Sequence, residues 1–363
     1  MPRKVSTNPI ADSERIECTE DHPFNAQGPS TPGTFSACAN SLLPPKEFTV
    51  EALFPELEVT NPSGDGKELQ LFDLNGVPAS FANALRRIML AEVPTMAIET
   101  VWFYDNTSVI PDEMLAHRMG LLPIVVDPND FEYLHEQKVS QEQQEEPEEE
   151  SEEDSENEFN DMNTLLFKLD VTCTEVRDDS TGEMKIQHST VYSGDFVWEP
   201  QGSQDETYEA NPPHFVSDKI IIAKLRPGQH IQCDCYVHKG IGKDHAKFSP
   251  VGTASYRLLP DVQVKSFPKD KKPEDLVKLC PLGVFDIEDG GVVVKKPRNC
   301  TMCRNCVRHE FGFDECVSLA RIRQHHIFSV ESVGQINARE IVVRSLDVLD
   351  SKCEKIINAL DNL

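Results

Sequence analysis

Phe81-Ala82-Asn83-Ala84-Leu85-Arg86-Arg87-Ile88-Met89-Leu90 is the stretch on which the reading of this chain turns. Phe81, Leu85 and Ile88/Met89 recur at helical spacing and give one apolar face. Ser80 can cap the helix by accepting from an early backbone N–H, and Pro94 ends it. Arg86 and Arg87 put two guanidinium groups on an otherwise apolar helix, which suits bidentate pairing with the carboxylates or carbonyls of another molecule.

Outward from this helix the pattern is mostly strand. Phe48, Val50, Leu53 and Phe54 form one upstream run and Leu69, Leu71 and Phe72 a second, with a turn at Gly64-Asp65-Gly66 between them. Downstream, Thr95 to Tyr104 alternates as a strand. Pro111-Asp112-Glu113 opens a short helix that Gly120 stops. Leu121 to Val126, Leu165 to Val171, Thr190 to Trp198, Ile220 to Leu225, His230 to Val237 and Ile327 to Ser332 read as further strands, and Gly240 to Phe248 as a polar loop. Val342, Leu346, Leu349, Cys353, Ile356 and Leu360 then follow one another by 4, 3, 4, 3 and 4 residues. That 3.5-residue period is the seam of a helix lying lengthwise on another helix.

The formal net charge is −27 over 363 residues. Glu142 to Glu158 contributes eleven acidic residues and no Lys or Arg, so −16 remains without it. Such a surface repels phosphate and argues against broad nucleic-acid binding. The acidic run cannot bury apolar surface and reads as a solvated loop. Residues 1 to 46, rich in Pro, Ser, Thr, Asn and Asp, read as a disordered extension in which Cys18 and Cys38 have no task. No apolar run is long enough to span a membrane, and Met1-Pro2-Arg3-Lys4 is not a secretory signal. The expected compartment is cytosolic or nuclear. There, eleven cysteines point to metal ligation or packing rather than disulfides.

Cys300-Thr-Met-Cys303-Arg-Asn-Cys306 can set three sulfurs around one point, as an iron–sulfur cube requires. Position 310 is Glu, so the local fourth ligand of a ferredoxin run is missing, but Cys280-Pro281 lies upstream. Cys280, Cys300, Cys303 and Cys306 are the candidate ligands of a 4Fe-4S (or 3Fe-4S) cluster. Cys316 as fourth ligand, zinc as the second choice of metal, and unligated thiols stay open. Lys295, Lys296, Arg298, Arg304 and Arg308 would offset a thiolate-rich centre. Cys233 and Cys235 share one face of a strand and read as core.

No phosphate loop, nucleophile elbow or zinc-protease helix is present, and no Asp triad that could hold Mg²⁺. The chain reads as a scaffold and not an enzyme.

Phe81 to Pro94 resembles the signature of the alpha subunit family of RNA polymerases. The resemblance continues through Asn106 to Pro123, Leu225-Arg-Pro-Gly-Gln229 and Gly240 to Val251. Phe248-Ser-Pro250 and Tyr256-Arg-Leu-Leu-Pro260 are similar to the branch shared by polymerases I and III. The resemblance implies an α+β fold with a discontinuous dimerisation domain over 47–105 and 319–363. A mainly-β domain is inserted over 106–267, carrying an acidic disordered loop at 139–162, and a small ferredoxin-like cysteine insertion covers 268–318. It implies a dimer interface of Phe81, Leu85 and Ile88 with Val342, Leu346, Leu349, Cys353, Ile356 and Leu360, facing a smaller alpha-like subunit. Arg86 and Arg87 would face the second-largest polymerase subunit, with the largest also docked. DNA would be met only through the complex, in the nucleus (nucleolus and nucleoplasm). An archaeal-type or polymerase II-type alpha-like subunit is the alternative within the family. An iron–sulfur redox carrier or sensor is the competing class.

Overall fold

The computed structural model describes residues 15–18, 23–24, 58–134, 159–177, 184–265, 267 and 271–361. The expected strand from Phe48 to Phe54, most of the 1–46 extension and the acidic run 142–158 lie outside them. The fold is α+β. Helices Ala79–Ala91 and Ala338–Asp361 stand far apart in sequence, and β-sheets are inserted between them. The described residues divide into two compact units, one drawn from 1–63, 71–84 and 255–329, the other from 64–70, 85–254 and 330–363.

The first unit centres on a six-stranded sheet. Its order is Pro23–Phe24, Arg15–Cys18, Val317–Ser332, Leu69–Asn75 and Glu58–Ser63, with Val251–Val264 also paired to Val317–Ser332. Arg15–Cys18 corrects the expectation of disorder at those residues. It runs antiparallel to Val317–Ser332, with Glu17 opposite Ala320. Arg15 is buried and its guanidinium donates to Asp261 at 2.7 Å. Cys18 is buried with Leu319 and Val262 and so has a packing task. Phe72 and Phe328 stack with centroids 5.0 Å apart. Beside them Asp73, fully buried, accepts two hydrogen bonds from Arg298, at 2.5 and 2.6 Å, and lies 3.1 Å from His325 Nε2. A buried carboxylate is tolerable only when its lone pairs are filled in this way.

The second unit contains a four-stranded sheet in the order Val197–Glu199, Thr164–Thr172, His230–Ile241, Pro94–Asn106. Its inner face alternates as the period of two demands: Leu165, Phe167, Leu169 and Val171 on one strand, Ile231, Cys233, Cys235 and Val237 on the next, all buried. Helix Asp112–Gly120 covers them with Leu115 and Met119. The Cys233 and Cys235 sulfurs lie 3.9 Å apart, and each is within 4.0 Å of the Met119 sulfur. These thiols are core.

Two expected strands are broken. Thr190 to Trp198 is split by a 3-10 turn at Ser193–Asp195, where the Asp195 carboxylate accepts from the Tyr192 N–H and competes with the ladder. Leu121 to Val126 shortens to Ile124–Val125, because Pro123 carries no N–H to donate.

Candidate functional site

Helix Ala79–Ala91 starts one residue before the expected cap. Its first backbone N–H groups, Phe81 and Ala82, donate to the Pro78 carbonyl, and Ser80 lies within the helix. Leu85 and Ile88 are each only 3% exposed. They are already buried in this chain and can support a partner surface only from beneath. Phe81 and Arg86 are half-buried and Arg87 is exposed.

The loop Gly242 to Phe248 closes over the end of this helix. The Lys243 N–H donates to the Ala91 carbonyl at 2.8 Å, capping a helix end that would otherwise leave carbonyls unpaired. A Cβ on Gly242 would stand 2.3 Å from the Leu90 carbonyl oxygen, and one on Gly240 2.6 Å from the Phe248 ring. Neither position has room for a side chain. Lys247 Nζ reaches the Ile98 carbonyl at 2.8 Å, and Thr95 Oγ1 donates to the Phe248 carbonyl at 2.7 Å. These residues therefore act by locking the helix end to the following strand.

The last helix, Ala338–Asp361, carries the residues of the 3.5-residue series. Its first turns are anchored: Ile341 and Ser345 are buried, and Arg344 pairs with Glu340 and Asp127. Lys352 pairs with Glu92 at 2.5 Å. Beyond that the helix stands clear, with every residue from 351 to 361 exposed. Val342 and Leu349 are half-buried and Cys353 is exposed. Leu346 is 45%, Ile356 61% and Leu360 63% exposed. Val343 and Ile357, outside the 3.5-residue series, are more than half exposed as well, so the apolar stripe is broader than the strict period indicated. The adjacency of Ile357 to Ile356 was the available signal. Isolated exposed leucines are ordinary, but a continuous stripe of them on one helix marks an interaction face.

The cysteine segment corrects the expected cofactor. Helix Pro273–Leu279 leads to Cys280, a hairpin pairs Phe285–Glu288 with Gly291–Val294, and short 3-10 turns carry the triplet. Left-handed φ at Met302 and Arg304 curls the triplet, so Cys280, Cys300, Cys303 and Cys306 all line one pocket with Val262 and Leu319. Yet among the described residues no group of three or more His, Cys, Asp or Glu is placed to hold a metal ion. The side chains serve other ends. Cys306 and Cys316 are buried in a core with Leu276, Phe285, Phe313 and Leu319, while Cys303 faces solvent. Burial pushes the Cys306 thiol up to about 12 and raises those of Cys300 and Cys316, favouring neutral SH. Lys295 and Arg298, expected to offset thiolates, pair instead with Asp286 and Asp73. Neither an iron–sulfur cluster nor a zinc site fits, and the segment forms no distinct ferredoxin-like cysteine cluster. The redox-carrier reading falls with it.

Other polar groups are structural. Asp127 accepts from the Asn129 N–H and Asp130 from the Tyr208 hydroxyl. His117 and His245 are exposed, 6.5 Å apart edge to face. Among the described residues no helix is long and apolar enough to cross a membrane.

Residues 71–353 match the family described as RNA polymerase Rpb3/Rpb11 dimerisation domain. The chain is 38% identical over 374 residues to "DNA-directed RNA polymerases I and III subunit rpac1" of Dictyostelium discoideum, covering 100% of both. It is 39% identical over 318 residues to the RPAC1 subunit of Saccharomyces cerevisiae, covering 86% of this chain and 90% of that one. With the human RPAC1 subunit it shares 41% over 299 residues, 80% of this chain and 81% of that one. An archaeal relative, subunit Rpo3 of Methanosphaera stadtmanae, is 31% identical over 291 residues. With its capped helix, its clear-standing apolar helix and this match, the chain belongs to the RNA polymerase Rpb3/Rpb11 dimerisation family, among the alpha-like subunits of the polymerase I and III type.

Proposed function

We propose that this chain is the non-catalytic assembly subunit of RNA polymerases I and III that pairs with a smaller alpha-like subunit and then docks the large catalytic subunits. The stripe of Leu346, Ile356, Ile357 and Leu360 carries this reading. Scaled by their exposure, these four side chains have about 4 kcal/mol of apolar transfer energy still to gain from a covering partner. Leu349 and Cys353 continue the stripe, and Leu85 and Ile88 back the neighbouring surface from within. Arg86 and Arg87 serve the second-largest subunit, and the largest is recruited with it. On this reading, which the relatives named for polymerases I and III support, the chain serves transcription of rRNA, tRNA and 5S RNA in nucleolus and nucleoplasm. DNA is reached only through the complex. We assign to this role a dimerisation domain over 47–105 and 319–363, with a mainly-β insertion over 106–267. Residues 268–318 form a small packed appendage held by the Arg298–Asp73 clamp.

Co-expression with a small alpha-like partner tests this. The pair should co-purify, and Leu346→Asp or Leu349→Asp should release the partner. A chain that stays monomeric, or a pair indifferent to both substitutions, would sink the proposal.

A further inference from the structure

The outer face of the four-stranded sheet carries a surface that the dimer reading does not use. Along Pro94–Asn106 the inward residues are Met96 and Ile98, then Val101 and Phe103. The phase changes because Tyr236 pairs with Thr100 and Val237 with Ile98, leaving Glu99 unmatched as a bulge. An extra residue in one strand moves every later side chain to the other face. The bulge therefore turns Trp102, rather than Val101, toward solvent, and Tyr104 is skipped by a second irregularity between Phe103, opposite Cys233, and Asp105, opposite Gln232; the two rings are 49% and 61% exposed.

These rings do not stand alone. Trp102 lies 5.0 Å from Tyr236 on the neighbouring strand. Phe159, immediately after the acidic run in sequence, stacks on Tyr236 at 4.8 Å and stands 6.3 Å from Trp102. Val197, 67% exposed, extends the apolar surface on the far strand. Two bulky rings left in water at a bulge imply an occupant, since large exposed apolar patches on a folded chain mark binding sites.

Charge selects the occupant. The Tyr104 hydroxyl donates to Asp234 at 3.1 Å. Asp105 and Asp170 both contact His230 at 2.9 Å, and Glu199 pairs with Lys168. Four carboxylates face one lysine and one histidine, and eleven more acids lie between 142 and 158. A phosphate backbone would be repelled. A guanidinium or ammonium is attracted both by the carboxylates and by ring faces.

We propose that this face docks an arginine- and lysine-bearing segment of a partner protein, its cations lying over Trp102, Tyr104 and Tyr236 and matched by Asp234, Asp105 and Asp170. This stands independently of the dimer helix.

The test uses the full chain and a synthetic decapeptide alternating Arg and Gly. With Trp198→Phe, Trp102 is the remaining indole of the two in the chain, and its emission should change saturably with peptide. Followed by calorimetric titration, because it removes the reporter indole, Trp102→Ala with Tyr104→Ala should weaken binding about tenfold, the loss of two exposed cation–π contacts. Asp234→Asn should weaken it several-fold. Both results should persist when 142–158 is replaced by Gly-Ser of equal length. Unchanged affinity in the double variant overturns the proposal. So does binding that vanishes with the acidic run alone, and so does tighter binding of single-stranded oligothymidylate than of the peptide. Unaltered circular dichroism of the variants excludes misfolding as the cause.

Discussion

Replacing Ile356 and Leu360 together by Asp separates assembly from folding. Both are more than three-fifths exposed in the chain alone, in a helical stretch where every residue faces solvent. The isolated chain should lose only the helix-propensity difference and a little charge–dipole energy, about 1 kcal/mol in all. A covering partner changes the arithmetic. The area left to bury is worth about 1–2 kcal/mol for each residue, and a carboxylate forced into that dry contact costs about 1–3 kcal/mol more. A loss of roughly 4–10 kcal/mol follows for the two residues together, about a thousandfold or greater rise in Kd. Calorimetric titration with the smaller alpha-like subunit gives the affinity, and a thermal melt of the isolated chain gives the stability. Affinity within about threefold of the parent would refute the reasoning. So would a fall in Tm of many degrees, because the helix would then be packed on its own chain.

Asp73→Asn removes the charge that holds Arg298 and His325. The cost should be about 2–3 kcal/mol in urea unfolding, with hydrogen exchange rising around 295–308. Gly240→Ala drives a methyl to within 2.6 Å of the Phe248 ring and should cost about 1–3 kcal/mol as overpacking, read from the urea midpoint. His230 governs a pH dependence. Hydrogen bonds that its ring donates to Asp170, then Asp105, raise its pKa above the ordinary 6.5, so the folded chain holds that proton more tightly than the unfolded one. Its stabilisation should be complete below pH 6.5 and fade as pH rises through the folded value; in His230→Gln that decline should disappear from the melting curve.

The elements that were legible are those whose burial is periodic. The seam from Val342 to Leu360 announced the last helix, and the alternation of Leu165 to Val171 and His230 to Val237 announced the sheet. Spacing alone failed where tertiary partners decide. Arg15–Cys18 alternates over only four residues within a polar tract, too short a pattern to announce a strand, and Val317–Ser332 offers it a ladder. C-x2-C-x2-C fixes distance along the chain but not where each sulfur points, and here Cys306 turns into a core while Cys303 turns out. Leu85 and Ile88 have the spacing of an interface, but the chain's own packing takes them first. Trp102 and Tyr104 face water because the strand is irregular at Glu99 and again at Tyr104, which no local pattern in the sequence marks.

Cys353 offers the most direct test, since it lies within the exposed stripe and Cys303, also exposed, serves as an internal control away from it. Alkylation with iodoacetamide followed by mass spectrometry, on the free chain and on the purified heterodimer, compares the two thiols. The account predicts that both react in the free chain and that pairing protects Cys353 while Cys303 stays reactive. Equal labelling of Cys353 in both states would contradict the assignment of this helix as the dimer surface.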